Sequence, residues 1–497
     1  VRRESGRQPL FFLIGVGLLV SIWTSLSYYA GFSIVPPPWR VLWTTARLLS
    51  LTHTWVQIMI TLSRVTAGFT LAFVSGTIIG IATGRSRTLE SVFKPVVQFF
   101  QGIPPLLWAI PLILLFGIGG LSPILVIAFI CLPLVVLNVA QGVKSVPPEL
   151  EEMMGVFAPG FYPLTRELVL PHLRPFFSAS LRLGVSLGIK ASVIGEYFGA
   201  NNGVGFQIQA AYQSLQTREL AAWGILLVAL ILLSSHLLTL GEGRRPVRAG
   251  AEKPFPRARR LDRIARGAAA PVGSIHLLLK GKEVNPELVL RDVCFCYRDR
   301  IGSDGPELLR DINLGVPAGT VAVIRGESGV GKTTLLKIAA GILTPDSGEV
   351  KRPDRVGFVF QDDRLLGWKT VLGNLAIPLV YLGYPYRTAS AWAASLMSEF
   401  GLRGWERSLP GELSGGMKKR ATLARCFMRK PLLILLDEPM SGLHREARAF
   451  LWEKFFSLLA HSRVPALIVT HFPEEIAHFP NLHSYSLGGK PARLERV

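Results

Sequence analysis

Gly326-Glu327-Ser328-Gly329-Val330-Gly331-Lys332-Thr333-Thr334 decides the reading of this chain. The run fits G-x-x-x-x-G-K-[ST], the pattern of a phosphate-cradling P-loop. A β-rich stretch, Thr320 to Arg325, leads in, and a helix-like stretch, Leu335 to Ala340, leads out and stops at Gly341. That is the strand–loop–helix context the chemistry needs. Glycines let backbone N–H groups turn inward on a phosphate without Cβ clashes. The following helix aims its positive end at the same anion. All nine residues are candidate nucleotide contacts, with Lys332 reaching the β/γ-phosphates and Thr333 holding Mg²⁺.

Outward from this loop the second half carries two further apolar strands. Leu432 to Leu436 is continuous and apolar, as in a buried parallel sheet, and ends in Asp437-Glu438-Pro439. A carboxylate at a strand's C-terminal end beside a P-loop can hold Mg²⁺, and the next one can accept a proton from an attacking water. Ala466 to Thr470 is the other strand and ends in His471. A lone histidine is usually structural; the position at a strand end marks this one as a candidate.

The 497 residues suffice for about three domains of ~150 each, and the net charge is +20. Four cysteines without paired spacing argue against a disulfide framework; Cys294-x-Cys296 lacks a second pair for zinc, and all four read as ordinary thiols. The apolar residues are unevenly placed. Pro9 to Ala30, Val65 to Gly84, Pro95 to Val143 and Leu220 to Gly241 are free of Asp, Glu, Lys and Arg. A spanning helix needs ~20 apolar residues, and Pro95 to Val143 has room for two, broken at Gly117 to Pro123. In residues 175–200, Arg182, Lys190 and Glu196 interrupt a small and apolar pattern but fall within about 120° of one helix face. Counting that stretch gives about six transmembrane helices and puts the basic residues 2–7, 85–94 and 244–266 on one, cytoplasmic, side. Arg85, Arg87 and Lys94 then lie in a cytoplasmic loop.

The expected organisation is a polytopic α-helical membrane domain, 1–241, a basic flexible linker, 242–275, and an α/β P-loop ATPase domain, 276–497. The linker holds nine Arg/Lys against three acidic residues. Directly after a membrane span, such a run is expected to face anionic lipid headgroups. The basic balance therefore calls for no nucleic-acid partner.

The second half resembles the nucleotide-binding domain of ABC transporters over residues 285–497. Leu413-Ser414-Gly415-Gly416-Met417 matches the signature motif, and Phe360-Gln361-Asp362-Asp363 the Q-loop. The resemblance implies that Tyr297 stacks on adenine, Asp437 and Gln361 join Thr333 around Mg²⁺, Glu438 is the catalytic glutamate and His471 the switch histidine. It also implies that Ser414, Gly415 and Gly416 complete the ATP site of a second subunit in a homodimer. Ser441-Gly442-Leu443-His444 departs from the family, whose D-loop ends in Asp.

The first half resembles permeases of the nitrate/sulfonate/taurine group over most of residues 35–240. The similar segments are Thr61 to Gly68, Ile103-Pro104 to Phe116-Gly117, and Glu196 to Gly205. The polar stretch Lys144 to Arg174 looks like the cytoplasmic "EAA" loop of ABC importers, which docks on the ATPase. Glu152 falls on the family's Glu, Met153 and Met154 on its two Ala positions, and Ala158 on its usual Gly. Phe157 adds an apolar contact. The resemblance implies a half-transporter in a prokaryotic cytoplasmic membrane, ATPase inside, working as a homodimer. It would import a small, anionic solute at the expense of ATP, with an extracytoplasmic solute-binding protein. The alternatives are a membrane-tethered P-loop ATPase without transport, and an ABC exporter, which normally lacks the EAA loop.

Overall fold

The computed structural model describes residues 8–241, 286–298, 304–460 and 462–497. The basic linker expected at 242–275 lies outside the described residues. The chain divides into two compact units. One comprises 1–145 with 172–246; the other comprises 146–171 with 247–497, so the EAA-like stretch packs with the P-loop half.

The first unit is helical: α1 (Gln8–Ala30), α2 (Pro38–Leu49), α3 (Thr52–Arg85), α4 (Arg87–Gly102), α5 (Pro105–Phe116) and α6 (Leu121–Lys144). After the intervening stretch it continues with α10 (Arg174–Gly199), α11 (Val204–Gln213) and α12 (Thr217–Gly241). Among the described residues, α3, α6, α10 and residues Thr217–Thr239 of α12 are each long and apolar enough to cross a bilayer. The pair α4 and α5 makes a fifth if counted as one bent span, and the apolar stretch Ile14–Ala30 of α1 is shorter, so the described residues give four or five of the expected six. Small residues on α3 let α6 approach closely. A Cβ on Gly76 would lie 2.8 Å from Val135 Cβ, and one on Gly80 2.7 Å from Val139 Cβ. Such seams replace the hydrophobic effect as the packing force between helices in lipid.

Two expectations are corrected here. Arg87 and Lys94 are not in a loop: α4 starts at Arg87, where Ser86 caps it by accepting from the Leu89 N–H. Arg85 closes α3. The first span expected in Pro95 to Val143 is not straight, because α4 and α5 bend by 96° at Ile103-Pro104. Proline drives its preceding residue out of the helical region, and Ile103 adopts φ −81, ψ 123. Arg182, Lys190 and Glu196 all lie on α10, at differing depths. Glu196 is fully buried, Arg182 half-buried and Lys190 exposed.

In the second unit the EAA-like stretch forms α7 (Pro148–Phe157), α8 (Phe161–Pro163), a π-helical turn (Leu164–Val169) and α9 (Leu170–His172). Proline at its first position suits α7, and so do Glu149 and Glu151 in its first turn. Ala158 stands where the family has Gly, and its φ of −147 suits alanine. Gly160, at φ +122, takes the conformation that favours glycine.

The P-loop half is a sheet of nine described strands: β1 (Leu288–Arg298), β2 (Asp304–Val316), β3 (Val321–Arg325), β4 (Ser347–Lys351), β5 (Val356–Val359), β6 (Leu433–Asp437), β7 (Ala466–Val469), β8 (Leu482–Gly489) and β9 (Ala492–Arg496). Their order is β4-β1-β2-β9-β8-β3-β7-β6-β5. The strands that matter for the site are β3, β5, β6 and β7, which run parallel as neighbours. Alternation splits each central strand between two cores. Ile434 and Leu436 face one cluster, Leu433 and Leu435 the other. Both faces are covered, which is why these strands read as unbroken apolar runs. The helices are α13 (Lys332–Ala339), α14 (Val371–Val380), α15 (Tyr386–Glu399), α16 (Gly415–Met428) and α17 (Arg445–Ala460).

Candidate functional site

The parallel order β3-β7-β6-β5 sets four strand ends side by side. Residues far apart in sequence thereby meet on one edge. Leaving β3, the P-loop turns through Gly329 (φ +80) and Gly331 (φ +109) into α13. Lys332 is buried, and its Nζ donates to the carbonyls of Gly326 and Glu327 at 2.7 Å each. Glu327, Ser328, Gly329 and Thr333 are exposed, whereas Gly326, Val330 and Gly331 are half-buried. Tyr297 is exposed and its hydroxyl lies 3.0 Å from Thr334 Oγ1, which sets the aromatic beside the first turn of α13.

Asp437 closes β6 and is only 2% exposed. One of its oxygens, Oδ1, has no hydrogen-bond partner among the described residues. Burial pushes its pKa up, against the Thr333 hydroxyl that donates to it. A buried carboxylate oxygen left without a partner is costly unless something else binds there. Asp437 and the Thr333 hydroxyl that donates to it offer hard oxygen donors of the kind that suits Mg²⁺, so these residues fit that ion; the Gln361 side chain meets Glu438 through its amide nitrogen.

Glu438 follows in the left-handed region, φ +45, its N–H donating to the Val469 carbonyl at 2.9 Å. That turn aims the side chain at two other strand ends. Oε1 lies 2.8 Å from His471 Nε2 beyond β7, and Oε2 3.5 Å from Gln361 Nε2 beyond β5. Lys419 on α16 donates to the Gln361 carbonyl. A carboxylate held by a histidine and an amide, beside a phosphate loop, can accept a proton from water.

Ser414 N-caps α16, accepting from the Met417 N–H at 3.3 Å. Ser414 and Gly415 are exposed and Gly416 half-buried. None of the described hydrogen bonds ties Ser414, Gly415 or Gly416 to Lys332, Asp437, Glu438 or His471. The structure therefore does not bring the signature into the chain's own cluster. His444 is exposed, and Leu443 packs beneath Gly416.

Of the EAA-like residues, Met153, Met154, Val156 and Phe157 are buried in the same core as Leu335, Leu336 and Ile338 of the P-loop helix. Glu152 bridges two cations, with Lys337 Nζ on α13 and Arg364 Nη1 each 2.8 Å away. Burial would raise the Glu152 pKa, but the hydrogen bonds from Lys337 and Arg364 outweigh it and hold the carboxyl below its ordinary value. Arg425 of α16 lies over the Phe157 ring, 4.8 Å from its centroid, and donates to the Arg364 carbonyl at 2.8 Å. Burial draws the Arg425 guanidinium down to about 10. The sequence marked Glu152 and Phe157 but missed Lys337, Arg364 and Arg425. Only the i, i+5 spacing of Lys337 from Lys332 hinted at a cation on the same helix.

Residues 309–441 match the family described as ABC transporter, and residues 76–241 the family described as binding-protein-dependent transport system inner membrane component. The chain is 39% identical over 192 residues to the aliphatic sulfonates import ATP-binding protein SsuB 2 of Streptomyces avermitilis, an overlap of 38% of this chain and 72% of that protein. It is 36% identical over 196 residues to SsuB 1 of Paracoccus denitrificans, covering 39% and 76%. The chain belongs to the ABC transporter family. Permease and ATPase lie in one multi-pass membrane protein that binds nucleotide and couples ATP hydrolysis to transport.

Proposed function

We propose that this chain is a half-transporter that imports a small organic anion, of the alkanesulfonate class, through the cytoplasmic membrane of a prokaryote. Residues 1–241 are the permease, 242–275 a cytoplasmic linker beside lipid, and 276–497 the ATPase. The observation that carries the reading is the match of an importer permease and an ATPase within one chain, the ATPase being similar to proteins named for aliphatic sulfonate import. A tethered, non-transporting ATPase would need neither the permease match nor a buried EAA-like stretch.

In this reading Lys332 neutralises the β/γ-phosphates, and the N–H groups of the loop hold the same oxygens. Tyr297 stacks on the adenine. Mg²⁺, held by Thr333, Asp437 and Gln361, would supply charge neutralisation on the phosphates. Glu438 takes the proton from the attacking water, with His471 fixing its carboxylate. Ser414 and Gly415, exposed in the single chain, and the half-buried Gly416 present N–H groups at the start of α16 to the nucleotide of a second copy. The working unit is thus a homodimer, fed by an extracytoplasmic solute-binding protein. Glu152, Met153, Met154 and Phe157 couple the two halves.

Reconstitution in proteoliposomes tests this. With a sulfonate-binding protein and alkanesulfonate, ATP hydrolysis should rise and labelled sulfonate accumulate. ATP turnover that ignores both, with no accumulation, would overturn the import reading.

A further inference from the structure

Glu167 lies in the π-helical turn Leu164–Val169, and its side chain is 15% exposed. Three groups of the ATPase hold it. Lys369 Nζ lies 2.5 Å from Oε2, the Tyr381 hydroxyl donates to Oε1 at 2.9 Å, and Trp368 Nε1 donates to the Glu167 carbonyl at 3.1 Å. Lys369 precedes Thr370, the N-cap of α14, and Tyr381 is its C-cap. One carboxylate is thus gripped from both ends of a single helix. π-Helical turns are rare and cluster at functional positions.

That helix differs from the one Glu152 holds. Glu152 binds Lys337 on α13, directly behind the phosphate loop. The α14 residues Val371, Leu375, Ala376 and Leu379 share a core with Leu423, Ala424 and Phe427 of α16, the helix that starts at the signature. Glu152 also reaches α16, through Arg364 and Arg425, and Ile377 and Tyr381 pack on the P-loop core as well; what sets Glu167 apart is that it alone of the two holds α14, from both ends. Tyr381 has its pKa raised by burial and by its bond to Glu167, so at neutral pH it stays a donor.

We propose that Glu167 is a positioning residue that ties the EAA-like stretch to the signature layer through Lys369, Tyr381 and α14. The proposal rests on the coupling reading above. Loosening this grip leaves ATP affinity at the P-loop intact but lets α16 settle poorly, so the closed, hydrolysing dimer forms less often.

The test is ATP hydrolysis by the full chain in proteoliposomes, which needs no transported solute. Glu167→Gln and Lys369→Met should each lower kcat about tenfold, the scale of one charge-assisted hydrogen bond, with KM for ATP within about twofold of native. The double variant should be no worse than either single one, because both remove one interaction. A thermal midpoint near the native value shows that folding is kept; should Glu167→Gln lower it, Tyr381→Phe, which removes one hydroxyl, carries the same comparison. Unchanged kcat in these variants, or additive losses with KM rising in step, overturns the proposal. Phe157→Ala with Met154→Ala is measured in parallel. For that pair the reading is sulfonate uptake per ATP hydrolysed, with the binding protein present: if this ratio falls and Glu167→Gln keeps the native kcat, only the Glu167 assignment fails; if the ratio stays native, the coupling reading fails with it.

Discussion

Arg64 on α3 and Glu196 on α10 stand 132 residues apart in sequence and meet as a buried ion pair, Nη1 to Oε1 3.0 Å. The pair is fully dressed. Glu196 Oε2 accepts from the Thr61 hydroxyl and the Gly205 N–H, at 2.9 Å each. Arg64 also donates to the backbone carbonyl of Asn202 at 2.8 Å and to its side chain. A Cβ on Gly203 would sit 2.5 Å from the Glu196 carboxylate, so only glycine lets the turn close on it. Two of the segments that resemble the permease family, Thr61 to Gly68 and Glu196 to Gly205, are thus the two sides of one polar node.

Removing one member of such a pair strands the other in a low-dielectric interior, a loss of about 3–5 kcal/mol. Glu196→Gln and Arg64→Met should each lower the thermal midpoint in detergent by several degrees. The double variant should lose clearly less than the sum, since each partner's stranded charge is then gone. Additive losses would mean that the two side chains act independently.

For ATP chemistry the geometry singles out Glu438, held by His471 at 2.8 Å. A general base contributes roughly 10²–10⁴-fold. Glu438→Gln should bind ATP with near-native affinity and lose turnover by a factor in that range. Lys332→Ala should instead weaken binding itself, as seen by equilibrium titration with a fluorescent ATP analogue. Normal turnover in Glu438→Gln would return the base assignment to another residue.

Asp437 gives a pH signature. Burial raises its pKa in the folded protein, so the folded state binds this proton more tightly than the unfolded chain, whose Asp titrates near ~3.9. Its charged form is a stability cost at neutral pH, relieved as pH falls through the folded pKa, and Mg²⁺ bound there would offset it. Asp437→Asn should therefore raise the thermal midpoint of the nucleotide-free protein at neutral pH. It should also abolish the extra stabilisation that Mg²⁺ adds to ATP, a linkage effect that grows with ligand concentration. Equal Mg²⁺ stabilisation in native and Asp437→Asn protein would remove Asp437 from the metal set.

The nucleotide site was legible because its chemistry sits at strand ends and in a glycine-rich loop. Apolar runs such as Leu432 to Leu436, ending in carboxylates, can be read without knowing the fold. The membrane half was legible only as apolar length. Nothing in the hydropathy of Pro95 to Phe116 shows a 96° bend, although Pro104 carries its cause. Glu196 read as one of three charges on a helix face, since its partner Arg64 is on another helix. Glu167 had no sequence signal, because a carboxylate beside Arg166 looks solvated until Lys369 and Tyr381 are brought to it by the fold.

Coupling between hydrolysis and transport is expected to run through the buried face of α7. Met153, Met154 and Phe157 are at most 2% exposed, packed in the core of the P-loop helix. Burying such side chains is worth on the order of several kcal/mol, comparable with the roughly 1–3 kcal/mol of typical coupling energies. Phe157 also lies beneath Arg425, whose bond to the Arg364 carbonyl links the signature helix to the segment after Gln361. Phe157→Ala with Met154→Ala should therefore leave ATP affinity within about twofold while lowering sulfonate uptake per ATP hydrolysed about tenfold, the scale of such a coupling energy. Methionine adapts to a partner surface that shifts, so Met154→Leu should fall between native and the double variant. Both fluxes are to be measured in the same proteoliposomes with the binding protein enclosed on the correct side. Should uptake per ATP stay at the native value, this stretch is only a connector and the coupling surface lies elsewhere in the chain.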